Sequence, residues 1–182
     1  MATHRTGTLA GVNGVTLFTQ TWQPGGATRG ALVLIHGFGE HSGRYGYLVD
    51  ALTAKGYAIY SMDQRGHGQT AGQRGHVMAF DEFTDDVGAL IASARGATTE
   101  APLFLFGHSL GGLIALNYAI RRPEGLRGRD CVGATAVTSE VVACAVYCGA
   151  YNVEDLAWFC VGYGAQARHD LARRRRGGAL SG

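Results

Sequence analysis

An α/β fold with a mostly parallel sheet and helices on both faces is predicted for residues 1–128 of this 182-residue chain. Two observations carry that prediction. Short, continuous apolar runs alternate with segments of helical period, the pattern of strand–helix–strand units. Each distinctive loop also follows one of those runs, at the carboxyl ends of strands where such sheets place their sites.

The elements follow in order. Residues 7–22 hold two strand-like runs around Asn13-Gly14, a pair that supports the positive φ angles of a tight hairpin turn. Pro24-Gly25-Gly26 ends that unit. Ala31-Leu32-Val33-Leu34-Ile35 is too short for a helix and reads as a strand buried on both faces; it stops at His36-Gly37-Phe38-Gly39. Residues 42–55 fit a helix, with Ser42 as its cap and Gly56 as its stop. Residues 57–62 form a second buried strand, ending at Asp63-Gln64-Arg65-Gly66-His67-Gly68. Asp81 is expected to cap a helix whose apolar face is Phe83, Val87, Leu90, Ile91 and Ala94. Residues 103–106 are a third buried strand, and residues 109–122 the helix after it, closed by Pro123.

The chemistry centres on Gly107-His108-Ser109-Leu110-Gly111. In a G-x-S-x-G elbow the serine sits on a strained strand-to-helix turn that presents its hydroxyl above the sheet. Glycines on either side let strand and helix approach closely, and the helix N-terminus favours developing negative charge. Ser109 is therefore the candidate nucleophile. An oxyanion hole in such a site takes one backbone N–H from the residue after the nucleophile, Leu110, and another from a loop after an earlier strand. His36-Gly37-Phe38-Gly39 is the expected supplier, with Phe38 as donor.

Three motifs, His36 to Tyr45 (HGFGEHSGRY), Asp63 to Thr70 (DQRGHGQT) and Gly107 to Gly112 (GHSLGG), resemble the monoacylglycerol lipase and lysophospholipase group of α/β-hydrolases, also grouped with serine aminopeptidases. The resemblance covers about residues 7–128. It implies a carboxylic-ester hydrolase acting on a small-molecule monoacylglycerol or lysophospholipid, without a cofactor or metal. It also implies that Glu40 and Arg44 lie near the polar end of the acyl-glycerol pocket; the plainer alternative is a helix-terminal ion pair. His41 and His67 read as residues that shape loops.

A triad also needs a histidine base and an acid, in the chain order Ser, Asp or Glu, His. The resemblance implies that both lie far downstream, after a cap region and the last strands. Only His169 follows Ser109, and Asp155 is an acid before it, but no strand precedes either. The triad acid and histidine are thus unassigned, and the fold is expected to be truncated after the nucleophile helix. Residues 129–182 do not match the family pattern; they hold all four Cys and an Arg-rich tail at 168–182. Such a break is what a frameshift or truncation would leave. Cys131 to Val137 reads as one more strand, and Val141 to Ala150 as helix or strand.

Charge and composition exclude other classes. Residues 168–182 hold five Arg and one Asp, leaving 11 basic and 13 acidic residues in the body. A body of net charge −2 argues against nucleic-acid binding. No run approaches the ~18 apolar residues of a membrane span, and no signal-like stretch opens the chain, so a cytoplasmic protein is expected. Three readings remain: an active esterase or lipase, a non-catalytic hydrolase-like chain that at most binds acyl ligands, and a serine hydrolase of another class, such as a peptidase.

Overall fold

The computed structural model describes residues 2–98, 101–122 and 144–147. Its strands are β1 (Thr3–Ala10), β2 (Thr16–Gln23), β3 (Gly30–Ile35), β4 (Tyr57–Met62), β5 (Leu103–His108) and β6 (Cys144–Tyr147). Its α-helices are α1 (Gly46–Thr53), α2 (Phe80–Ala97) and α3 (Leu110–Arg121). The sheet runs in the order β1-β2-β4-β3-β5-β6. β1 and β2 are antiparallel, β2 meets β4 antiparallel, and β3, β4, β5 and β6 are mutually parallel where they pair. β6 thus lies beside β5, in the position to which a β–α–β crossover through α3 delivers the next strand. The sequence expectations over Cys131 to Val137, and those for Asp155 and His169, lie outside the described residues.

Side-chain alternation explains how one continuous apolar strand serves two layers. On β3, Ala31, Val33 and Ile35 face a cluster with Val87, Leu90 and Ile91 of α2 and Ile114, Ala115 and Tyr118 of α3. Leu32 and Leu34 point to the opposite cluster with Leu48, Val49 and Leu52 of α1. β5 divides the same way, with Leu103 and Leu105 on the first face and Phe106 on the second. A mostly parallel sheet covered on both faces is therefore what the apolar runs encode. Among the described residues no helix is long and apolar enough to cross a membrane.

Three local expectations change. The first strand begins at Thr3 rather than near Gly7, because its polar start is held in register against Gln23 and Trp22, with His4 stacked on Trp22 at 4.7 Å. The turn is wider than a two-residue hairpin: Gly11 N–H donates to Val15 O at 2.8 Å, although Asn13 takes the positive φ (55°) that its identity suggested. Neither expected cap forms. Residues 42–45 make a 3-10 turn before α1, and Ser42 donates its hydroxyl to Asp63 instead, at 2.6 Å. α2 starts from Ala79 without a side-chain cap, while Asp81 in its first turn pairs with Arg121 on α3. In both cases a partner distant in sequence takes the side chain that a local cap would have used.

Candidate active site

Ser109 occupies the joint between β5 and α3 and is exposed. Its backbone has φ 52° and ψ −115°, a region that costs a non-glycine residue roughly 1–3 kcal/mol and persists only where the surroundings impose it. Here they do. A Cβ on Gly111 would overlap the carbonyl oxygens of Ile35 and His36, and one on Gly107 would overlap the backbone of Gly111 and Gly112. The first turn of α3 is thus pressed backbone to backbone against the end of β3, and the turn between strand and helix has no slack. Leu110 is the first residue of α3, so its N–H lacks an intrahelical acceptor.

That close approach makes a strong prediction. Gly111→Ala places a methyl group inside backbone that cannot yield as a flexible side chain can, and is expected to cost at least about 3 kcal/mol. The urea denaturation midpoint measures it; a loss below about 1 kcal/mol, ordinary for a surface change, would mean that strand and helix separate freely.

The loop after β3 is held from below by His36, which is fully buried. Gln64 N–H donates to His36 Nε2 at 2.9 Å, so the ring proton resides on Nδ1, which donates to Gly37 O at 2.7 Å. The Gln64 side-chain amide also donates to the carbonyl of His36. Burial is the main cause that lowers the His36 pKa below its ordinary value, and nearby His67 adds to it. A folded pKa below the unfolded one means that the unfolded chain binds the proton more readily, so this histidine contributes stability that is lost as pH falls below about 6.5. In nitrogen-15 NMR, His36 is expected to be mainly the neutral Nδ1–H form at pH 6.5. A titration midpoint at or above 6.5 would contradict this.

Phe38, the expected second oxyanion donor, lies on this loop with its ring exposed and nearly perpendicular to that of His67, 5.5 Å between centroids. The loop and the elbow are adjacent: the Cβ position of Gly37 lies 2.9 Å from His108 Nδ1 and 3.2 Å from His108 O. An open pocket of about 330 Å³ lies on the Phe38 side, lined in part by Glu40, His67 and Arg74. His67 is buried and bonds Arg65 O through Nδ1 at 3.0 Å.

Glu40 and Arg44 do pair, at 3.8 Å, but Arg44 is largely exposed. The closer partners of Glu40 are Gly37 N–H at 2.5 Å, Tyr45 O–H at 2.5 Å and His108 Nδ1 at 2.9 Å, all on Oε1. Burial by itself would raise the Glu40 pKa, yet hydrogen bonds from Tyr45, His108 and Gly37 outweigh it and hold the carboxyl below its usual range. Burial and then Glu40 push the Tyr45 phenol up. Tyr45 and His108 stand inside the quoted motifs, but no local pattern shows that both turn toward Glu40. Among the described residues, no histidine hydrogen-bonds the Ser109 hydroxyl, and no group of three or more His, Cys, Asp or Glu is placed to hold a metal ion.

Comparison with known proteins decides the family. Residues 26–146 match the family described as serine aminopeptidase, S33. The chain belongs to that family. It is 38% identical over 115 residues to the monoacylglycerol lipase of Mycolicibacterium smegmatis, covering 63% of this chain and 41% of the relative. Among solved structures it resembles a thermostable carboxyl esterase from Bacillus coagulans in complex with glycerol, at 30% identity and TM-score 0.63 over 69% of this chain and 42% of that one. It also resembles the monoacylglycerol lipase of Paleococcus ferrophilus, at 40% identity and TM-score 0.51 over 60% of this chain and 39% of that one. The chain spans about two-fifths of the length of these relatives. The fold is that of an α/β-hydrolase, and the relatives named are lipases and esterases.

Proposed function

We propose that this chain carries the nucleophile half of a carboxylic-ester hydrolase of the monoacylglycerol or lysophospholipid type. Ser109 attacks the ester carbonyl, and the backbone N–H groups of Phe38 and Leu110 hold the oxyanion that forms. Glu40 and Arg44 stand toward the polar end of the substrate. The observation that carries this reading is the backbone of Ser109, forced to φ 52° between β5 and α3 by contacts that only glycine permits at 107 and 111. Strain of that kind has a use when it lifts a reacting hydroxyl clear of the sheet.

A second reading has its own support. Attack by serine needs a base, and no described histidine reaches the Ser109 hydroxyl. In this reading the chain is a catalytically inactive, hydrolase-like protein that at most binds acyl ligands. Hydrolysis of a short nitrophenyl ester by the purified chain, with fluorophosphonate labelling alongside, separates the two. Turnover and labelling that both depend on Ser109 support the first. Equal, slow hydrolysis with and without Ser109, and no labelling, support the second.

A further inference from the structure

We propose that Glu40 is a positioning residue that ties the Phe38 loop to the Ser109 elbow. The proposal rests on the hydrolase reading above, since it concerns the two segments assigned to the oxyanion donors.

Those donors come from different places in the chain. Leu110 is fixed by α3, which is packed against β3 and β5. Phe38 stands on a loop outside any helix or strand. An oxyanion hole works only if both N–H groups meet the same oxygen, at about 2.7–3.1 Å. Some contact must therefore set one segment against the other. Glu40 Oε1 is placed for it. The one oxygen accepts from Gly37 N–H on the loop, from Tyr45 O–H on the 3-10 turn before α1, and from His108 Nδ1–H, the residue preceding Ser109. An ionised carboxylate has no proton to donate, so all three partners must be donors. The Glu40 side chain is 11% exposed, whereas that of Arg44, on the other oxygen, is 65% exposed.

Magnitudes decide which way Glu40 works. An exposed ion pair at 3.8 Å contributes little. Short hydrogen bonds to a partly desolvated carboxylate are the strong class. Glu40 is thus spent mainly on holding loop, turn and elbow together, and its pairing with Arg44 is secondary. This role is additional to the place at the polar end of the substrate proposed above, and an ester without a glycerol head group isolates it.

The test uses the full chain with Glu40→Gln, Glu40→Leu and Tyr45→Phe, assayed on 4-nitrophenyl butyrate and on a monoacylglycerol. Displacing a catalytic group by even 1 Å costs up to about 100-fold in rate. We expect kcat on the nitrophenyl ester to fall about 10- to 100-fold for Glu40→Gln, more for Glu40→Leu and less for Tyr45→Phe, with KM little changed. Near-isosteric Gln keeps the experiment decisive if the Leu variant does not fold. Unchanged kcat on the nitrophenyl ester, with KM raised only for the monoacylglycerol, overturns the proposal and makes Glu40 a head-group contact. Nitrogen-15 NMR of Gly37 and the His108 ring reads the brace without catalysis: both signals should move in Glu40→Gln. If the unmodified chain shows no Ser109-dependent turnover, the hydrolase reading fails and the NMR result alone decides, with unmoved signals overturning the brace.

Discussion

Ser109→Ala is expected to abolish fluorophosphonate labelling and to reduce ester hydrolysis to background, while leaving stability nearly unchanged. The size of the kinetic loss tells which reading of the site holds. With a triad base in place, removing the serine of a well-studied hydrolase costs about 10⁶-fold. Without one, Ser109 is an ordinary alcohol and the variant loses almost nothing. Ser109→Gly adds an independent measurement. At φ 52° and ψ −115° a side chain pays roughly 1–3 kcal/mol, whereas glycine pays only about 0.5–1 kcal/mol in chain entropy. Ser109→Gly is therefore expected to be the more stable protein by about 1 kcal/mol, and as inactive as Ser109→Ala. Alanine keeps the strain and so gains nothing. Denaturant titration of the three proteins measures this. If Ser109→Gly proves less stable than Ser109→Ala, the strain is not where the backbone angles place it.

The elbow was the most legible part of the sequence because its determinants are neighbours in the chain: a strand, glycine, serine, glycine and a helix, with tight contacts that exclude other residues. The apolar faces were legible for a similar reason. Phe83, Val87, Leu90, Ile91 and Ala94 recur at the helical period and are all buried. The misread elements share the opposite property. Ser42 and Asp81 have the right chemistry for caps, yet Asp63 and Arg121 claim them from distant segments. Glu40 shows the same effect at the site. Its four-residue spacing to Arg44 was visible, but its bond to His108 arises only once β3 and β5 lie side by side. The polar start of β1 carries no apolar alternation, and only its pairing with β2 makes it a strand. Local chemistry says what a side chain can do; the sheet decides which of its possible partners arrives.

The strongest case of that rule is Arg65, which is expected to make Asp86→Ala among the most destabilising substitutions outside the elbow. Asp86 is fully buried and its carboxylate accepts from Arg65 Nε at 2.7 Å, from Arg65 Nη2 at 3.0 Å and from Val12 N–H at 3.0 Å. Arg65 also donates to Val12 O at 3.1 Å and pairs with Glu82 at 3.0 Å. The first cause of its raised pKa is the hydrogen bond to Asp86. One guanidinium thus joins the β1–β2 turn, α2 and the loop that carries His67 beside Phe38. Removing Asp86 leaves that charge buried with one carboxylate fewer and an orphaned backbone N–H, a loss of about 3–5 kcal/mol by the behaviour of broken buried pairs. Replacing both partners, Arg65→Met with Asp86→Leu, removes the two charges together and is expected to cost much less than Asp86→Ala alone, because the buried guanidinium is no longer stranded. Urea midpoints for the single and double variants measure the difference. A double variant as unstable as the single would mean that the cost lies in the lost Val12 and Glu82 contacts rather than in the stranded charge. Ester turnover by the double variant adds the functional consequence: with the loop no longer tied to α2, His67 is free to shift beneath the Phe38 ring, and activity should fall further than stability does.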